Sequence, residues 1–274
     1  MANPVLRSVH RYPVKSLGVQ TSDEVAVEPW GLDGDRRWML VDKAARVITQ
    51  RQQPFMARIS AVLLTDGGIV LSAPGRPPLR VAVPGPERLV EVELHRDTVT
   101  VTEAVAEAHD WFGEVLGSEA RLVHLDDPAR RRAVDPQYAR PGDMVSFADG
   151  YPLLLTTTAS LDALNDLIAA GDRPHEGPLP MDRFRPNVVI GSTEAWAEDG
   201  WRRIAIGEVR FSVVKPCGRC VITTTDQRTA ERGREPLLTL ARHRRVGNQL
   251  LFGQNLIPDG TGVIRVGDPV TILD

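Results

Sequence analysis

At 274 residues the chain is long enough for one large domain or two smaller ones with buried cores. Its 42% hydrophobic and 25% charged composition is that of a globular protein, not of a disordered or fibrous one. A formal net charge of −3 excludes the overall basic field that favours nucleic acid or anionic membranes. No apolar run is long enough to span a bilayer, and the first ten residues lack the apolar stretch of a signal peptide. The expected location is therefore the cytoplasm, with no nucleic acid and no membrane as partner. In that compartment two cysteines are not a disulfide framework; they are catalytic, metal-binding or inert.

Short strands are predicted over 5–10, 24–28, 37–41, 59–64, 68–71, 79–83, 89–94 and 98–102, several with apolar and polar residues in alternation. Thr65-Asp66-Gly67-Gly68 between two apolar runs is a hairpin signal. Residues 103–116 read as a helix with Val105, Ala108, Trp111, Phe112 and Val115 on one face. Residues 126–149 are polar, contain Arg130-Arg131-Arg132, and read as a long surface connection. A strand at 153–155 precedes a helix at 161–170, with Ser160 as its expected N-cap and Asp162 in its first turn. Strands follow at 188–190, 203–206, 209–214 and 221–224. A short helix at 236–245 precedes closing strands at 249–252, 262–266 and 269–273. Many short strands with Gly and Pro punctuation predict a barrel or sandwich.

Both cysteines fall in Lys215-Pro216-Cys217-Gly218-Arg219-Cys220. Their cationic neighbours favour the thiolate, the nucleophilic and metal-binding form, although a C-x-x-C spacing alone is equally a pair of small core residues. Three further clusters offer anion donors. Tyr12-Pro13-Val14-Lys15-Ser16 ends the first strand and uses one of only three lysines, the others being Lys43 and Lys215. Gly31-Leu32-Asp33-Gly34-Asp35-Arg36-Arg37-Trp38 is a Gly-rich turn with arginines, and Arg51 lies beyond it. Arg183-Phe184-Arg185-Pro186-Asn187, if extended, places both guanidinium groups on one side. Each cluster alone reads equally as an exposed turn or strand end. Together they describe a site for an anionic ligand with a thiolate nearby. The six histidines (His10, His95, His109, His124, His175, His243) show no metal-ligand spacing, which leaves a zinc site on Cys217 and Cys220 half-built.

The order of these motifs resembles the MOSC family, named after the C-terminal domain of molybdenum-cofactor sulfurase. In particular it is similar to the two-part, amidoxime-reducing members that carry an N-terminal β-barrel domain. The resemblance covers nearly the whole chain. It runs from Tyr12–Ser16 through Gly34–Leu40, Asp143–Pro152 and Arg183–Asn187 to Cys217–Thr224, Phe252-Gly253-Gln254-Asn255 and Val266-Gly267-Asp268-Pro269-Val270. It implies an α+β, predominantly β fold: an N-terminal β-barrel domain at 1–125 packed on a MOSC β-barrel domain at 126–274, with a few peripheral helices. It implies Mo-molybdopterin (molybdenum cofactor), with Cys220 as metal ligand and catalytic residue. The resemblance places cofactor donors on Lys15, Ser16, Arg36, Arg185, Asn187, Gly218 and Arg219, with Thr157, Ser160 and Arg51 as further candidates; Cys217 has no required role.

The implied activity is reduction of N-hydroxylated compounds such as amidoximes, hydroxylamines and N-hydroxylated base analogues. The alternative is a molybdenum-cofactor or sulfur carrier without turnover. The chain has no further cysteines for an iron–sulfur cluster and no Gly-rich dinucleotide fingerprint. The reductase reading therefore expects a separate electron donor, a flavoprotein or a ferredoxin-type protein.

Overall fold

A computed structural model describes residues 3–95, 97–128 and 132–274. The architecture is predominantly β, with a few short helices at the periphery. The main sheet runs in the order Val270–Ile272, Arg203–Ile206, Val209–Gly218, Gln249–Pro258, Leu153–Thr157, Val188–Gly191, Val5–Arg11 and Gln20–Ser22. The Val270–Ile272 edge comes back against the start of Val5–Arg11, the strand next to the opposite edge. Leu6 N–H donates to Asp268 O, Val270 N–H donates to Pro4 O, and Val5 bridges Pro269. The curled sheet encloses a core that includes Leu6, Val9, Leu155, Ile190, Ile204, Phe211 and Leu256.

The first strands of the chain therefore belong to the same layer as the last ones. Val5–Arg11 pairs antiparallel with Val188–Gly191, and Glu24–Glu28 pairs antiparallel with Gly262–Arg265. Alternation explains the second pairing: Val25 and Val27 face inward while Glu24 and Ala26 stay exposed. Between them the chain builds two smaller sheets. One joins Trp38–Val41, Arg121–His124, Asp97–Glu103 and Leu89–Leu94; the other joins Ser60–Leu63, Ile69–Ala73 and Arg76–Val81. The hairpin at 65–68 forms as expected, with Gly67 N–H donating to Leu64 O. The helix Ala106–Leu116 packs Ala108 and Phe112 into this half, and Gly117 ends it in the left-handed region at φ 65°. It starts later than the apolar spacing predicts because Glu103 is still paired with Val123.

Other expectations are corrected. Residues 221–224 are not a strand but a 3-10 turn, Val221–Thr224. Thr223 Oγ1 donates to Cys220 O at 2.8 Å and Thr224 Oγ1 to Val221 O at 2.9 Å, so the β-branched residues bond to their own backbone. Residues 183–187 are not extended either. Met181–Phe184 forms a 3-10 turn, and Arg185 follows at φ 55°. The helix after Leu153–Thr157 is Thr158–Ala169; Thr157 is its N-cap, accepting from Ser160 N–H at 3.1 Å, and no acidic residue lies in its first turn. The 126–149 connection is not wholly superficial, since Val134, Val145 and Phe147 are buried. Arg130 and Arg131 lie outside the described residues.

Gly253 sits in the long strand Gln249–Pro258 at φ 80°, where an added Cβ would lie 2.6 Å from Leu155 O. Backbone oxygen on a paired strand cannot move aside cheaply. Gly253→Ala is expected to lower stability by about 1–3 kcal/mol, read as a lower urea midpoint with unchanged m-value.

Candidate functional site

A cleft of about 320 Å³ opens where the two stretches of sequence meet. It is lined by Lys15, Ser16, Arg36, Arg185, Asn187, Gly218, Arg219 and Cys220, eight of the positions singled out in the sequence. The first strand delivers Tyr12–Ser16 to one wall. That segment is stitched to the Asp35–Trp38 segment: Tyr12 N–H donates to Asp35 Oδ1 at 2.7 Å, Arg36 N–H to Tyr12 O at 2.8 Å and Lys15 N–H to Trp38 O at 2.8 Å. Ser16, Arg36 and Arg185 all have positive φ, at 68°, 49° and 55°. Three non-glycine residues in this region mark backbone strain at one cleft.

Tyr12 organises the arginines. Its ring is buried, with the Arg36 guanidinium 4.5 Å and the Arg185 guanidinium 4.2 Å from its centroid. Arg36 is paired with Asp35 at 2.5 Å and also donates to Asn187 Oδ1 at 3.1 Å. Arg185 Nη1 donates to Leu17 O at 2.7 Å, but its Nη2 is buried with no partner. Burial, reinforced by the charge of Arg36, pulls Arg185 down to about 10. Arg183 does not join this grip. The 3-10 turn sends its guanidinium to Thr224 O at 3.0 Å and Asp226 Oδ2 at 2.9 Å.

Lys15 is buried, with Nζ donating to Phe147 O at 2.8 Å and paired to Asp149. Burial lowers it to about 8, partly offset by Asp149. Burial would raise Asp149, but Lys15, His95 and Arg51 outweigh it and hold the carboxyl well below the usual range. Arg51 bridges this charge network to the cysteine: its Nη2 lies 3.3 Å from Asp149 Oδ2 and 3.4 Å from Cys220 Sγ. Arg232 fixes the Arg51 backbone by donating to Arg51 O at 2.9 Å. Cys217 also lines the cleft, and Arg219 Nη1 donates to its Sγ at 2.9 Å. Both cysteines are free thiols.

Asp149 is the site residue that residue-by-residue reading passed over. The signal for it is indirect: a buried lysine needs a counter-charge, and Asp149 lies inside the Asp143–Pro152 segment. Arg132 holds that segment in place, donating to Ser146 O at 3.1 Å and Asp149 O at 2.9 Å. Asn187 lines the cleft, yet its amide serves the scaffold: Oδ1 accepts from Arg36 and from Leu154 N–H at 3.2 Å, and Nδ2 donates to His10 O at 3.1 Å. The structure does not bring Thr157 and Ser160 to the cleft. Both hydroxyls face Glu198, with Oε2 3.2 Å from Thr157 Oγ1 and 2.9 Å from Ser160 Oγ. Among the described residues no three His, Cys, Asp or Glu side chains cluster as a metal site, so Cys217 and Cys220 gain no further ligands for zinc.

The arrangement suits one soft metal donor beside a cationic grip for an anion. Since Lys15 loses its proton as pH rises through about 8, its share of that grip is present below this pH and lost above it. Sulfate does not titrate in this range and reports the grip alone. Its affinity, measured by titration calorimetry, is expected to fall between about pH 7 and about pH 9, and Lys15→Met is expected to flatten the profile.

Comparison with known proteins assigns the family. The MOSC N-terminal beta barrel domain model matches residues 3–119 and the MOSC domain model matches residues 142–271. Mitochondrial amidoxime-reducing component 1 of Homo sapiens is 31% identical over 96% of this chain and 81% of its own length. The Xenopus laevis protein of the same name is 30% identical over 94% of this chain and 79% of its own. Molybdenum cofactor sulfurase of Oryza sativa is 28% identical over 90% of this chain, which spans only 32% of that protein. The chain therefore belongs to the MOSC family, as a member that carries the N-terminal β-barrel domain ahead of the MOSC domain.

Proposed function

We propose that this protein binds the molybdenum cofactor through Cys220 and reduces N-hydroxylated compounds. The observation that carries the reading is the buried, partnerless Nη2 of Arg185 in the same cleft as the Cys220 thiol. A buried cationic donor without an acceptor is costly, and a phosphate oxygen satisfies it. A thiolate is the soft protein donor that molybdenum accepts. The residues present thus fit a phosphate-bearing, thiolate-ligated cofactor. The amidoxime-reducing relatives, matched over nearly the whole chain, supply the substrate class.

In this reading Cys220 is the metal ligand, oriented by Arg51 at its sulfur. Arg185, Lys15 and Arg36 hold the anionic end, Ser16 adds a polar edge, and Gly218 and Arg219 line the cleft, with the Arg219 guanidinium at Cys217 Sγ. When bound, the cofactor supplies the two-electron chemistry that converts N–OH to N–H and water. The protein positions the substrate against it and keeps the anion grip rigid through Tyr12, Asp35 and Asn187. The electrons come from a separate flavoprotein or ferredoxin-type partner, met in the cytoplasm.

The sulfurase relatives favour a second reading, a cofactor or sulfur carrier without turnover. Steady-state reduction of benzamidoxime by cofactor-loaded protein with an artificial reductant separates the two, because a carrier gives none. Cys220→Ala is expected to abolish turnover and lose molybdenum by elemental analysis, while Cys217→Ala retains the metal and most activity. Equal loss in both variants would mean a dithiol pair instead. Arg185→Ala is expected to weaken cofactor retention by about 1.5–3 kcal/mol, read as lower pterin fluorescence per chain.

A further inference from the structure

One cation of the cleft has no role in that account. Lys15, Arg36, Arg185 and Arg219 each donate to an acceptor within the protein. Lys215 also lines the cleft, but among the described residues its ammonium has neither a hydrogen-bond acceptor nor an ion-pair partner. It lies instead over the Tyr138 ring, 4.5 Å from the centroid. A ring face steadies a cation without using its N–H groups as an anion does, so its donors stay available.

An aromatic pair flanks the lysine, and one of its rings is open to the cleft. Tyr138 and Tyr151 meet edge to face with centroids 6.2 Å apart, and Tyr151 lines the cleft. The lysine is carried on a paired strand, with Lys215 opposite Asn255 and Asn255 Nδ2 donating to Lys215 O at 3.1 Å. A site on a paired strand is held more accurately than one on a loop. Lys215 stands two residues before Cys217, on a different element from the Lys15, Arg36 and Arg185 grip. Those three already serve the cofactor's anion, which leaves Lys215 for a second one.

We infer that Lys215, backed by the Tyr138 and Tyr151 rings, forms a substrate subsite that selects N-hydroxylated compounds bearing a carboxylate on a flat ring. The inference rests on the reductase reading for the word substrate, but the carboxylate site can be tested without turnover.

The experiment compares benzamidoxime with para-carboxybenzamidoxime in wild type, Lys215→Gln and Lys215→Arg, each cofactor-loaded. Wild type is expected to favour the carboxylate in kcat/KM. Lys215→Gln should reduce that preference roughly tenfold or more, chiefly through KM, and Lys215→Arg should restore most of it. An unchanged ratio in Lys215→Gln, or no preference in wild type, overturns the subsite. Pterin content is measured alongside. Loss of cofactor from Lys215→Gln would assign this cation to the cofactor's anion and overturn the substrate assignment. Calorimetric binding of para-carboxybenzamidoxime is the arm independent of turnover. Weaker binding to Lys215→Gln with no reduction of either compound by wild type supports the carboxylate site and removes only the reductase reading. Equal binding to wild type and variant overturns the site itself.

Discussion

The constraint on which this structure depends is the burial of cations. Lys15 is 4% exposed, and Arg36 and Arg185 lie against a fully packed tyrosine. Taking such groups out of water is unfavourable by several kcal/mol each unless acceptors are fixed around them. Much of the local architecture answers that requirement. Asp35 and Asn187 hold Arg36, Asp149 and Phe147 O hold Lys15, and Tyr12 presents its ring to both guanidinium groups. Among the described residues of the cleft lining, Arg185 Nη2 and Arg219 Nε are buried donors left without an acceptor. Open cationic donors on a cleft lining suit an anion.

Chain topology makes the cleft possible. The lysine and first arginine come from the beginning of the sequence, and the second arginine and the thiol come from beyond residue 180. They meet because Val5–Arg11 is a strand of the same sheet as Val188–Gly191. The register of that pairing sets the height of Tyr12 against Pro186, whose carbonyl accepts from the Tyr12 hydroxyl at 3.1 Å. A slip of one residue would turn Leu6 and Val9 out of the core and carry Lys15 away from Asp149. Core packing and site geometry are therefore one condition, not two.

That coupling explains what could be read from the residues. Strands such as Glu24–Glu28, Leu89–Leu94 and Arg203–Ile206 show alternation, and periodicity finds them at their true bounds. Lys15, Arg36, Arg185 and Cys220 stood out by chemistry and by motif order. What escaped is conformation decided by single contacts. The Val221–Thr224 turn looks like a strand in composition, and only the threonine bonds to nearby carbonyls show otherwise. An extended Arg183–Arg185 segment would put both guanidinium groups on one face, yet the left-handed backbone at Arg185 sends the two side chains to different partners. Thr157 and Ser160 carry the right donors, but their hydroxyls are committed to the buried Glu198, whose pKa burial raises.

The strain and the open donor belong to the same design. Ser16, Arg36 and Arg185 hold backbone conformations that each cost of order 1 kcal/mol or more in the absence of compensation. Such residues persist only where the surroundings over-determine them, and here Tyr12, Asp35 and the Trp38 carbonyl do so before any ligand arrives. The cleft is therefore preorganised: its cations are already desolvated and aimed. An entering anion has little reorganisation to drive, so its charge–charge energy appears as binding and as added stability of the folded chain. A softer loop at the same place, with solvated lysines, would hold the same charge yet impose no fixed distance between the anion and the Cys220 sulfur. Fixing that distance is what the rigid grip adds, because it would set where any group held at both points places its centre.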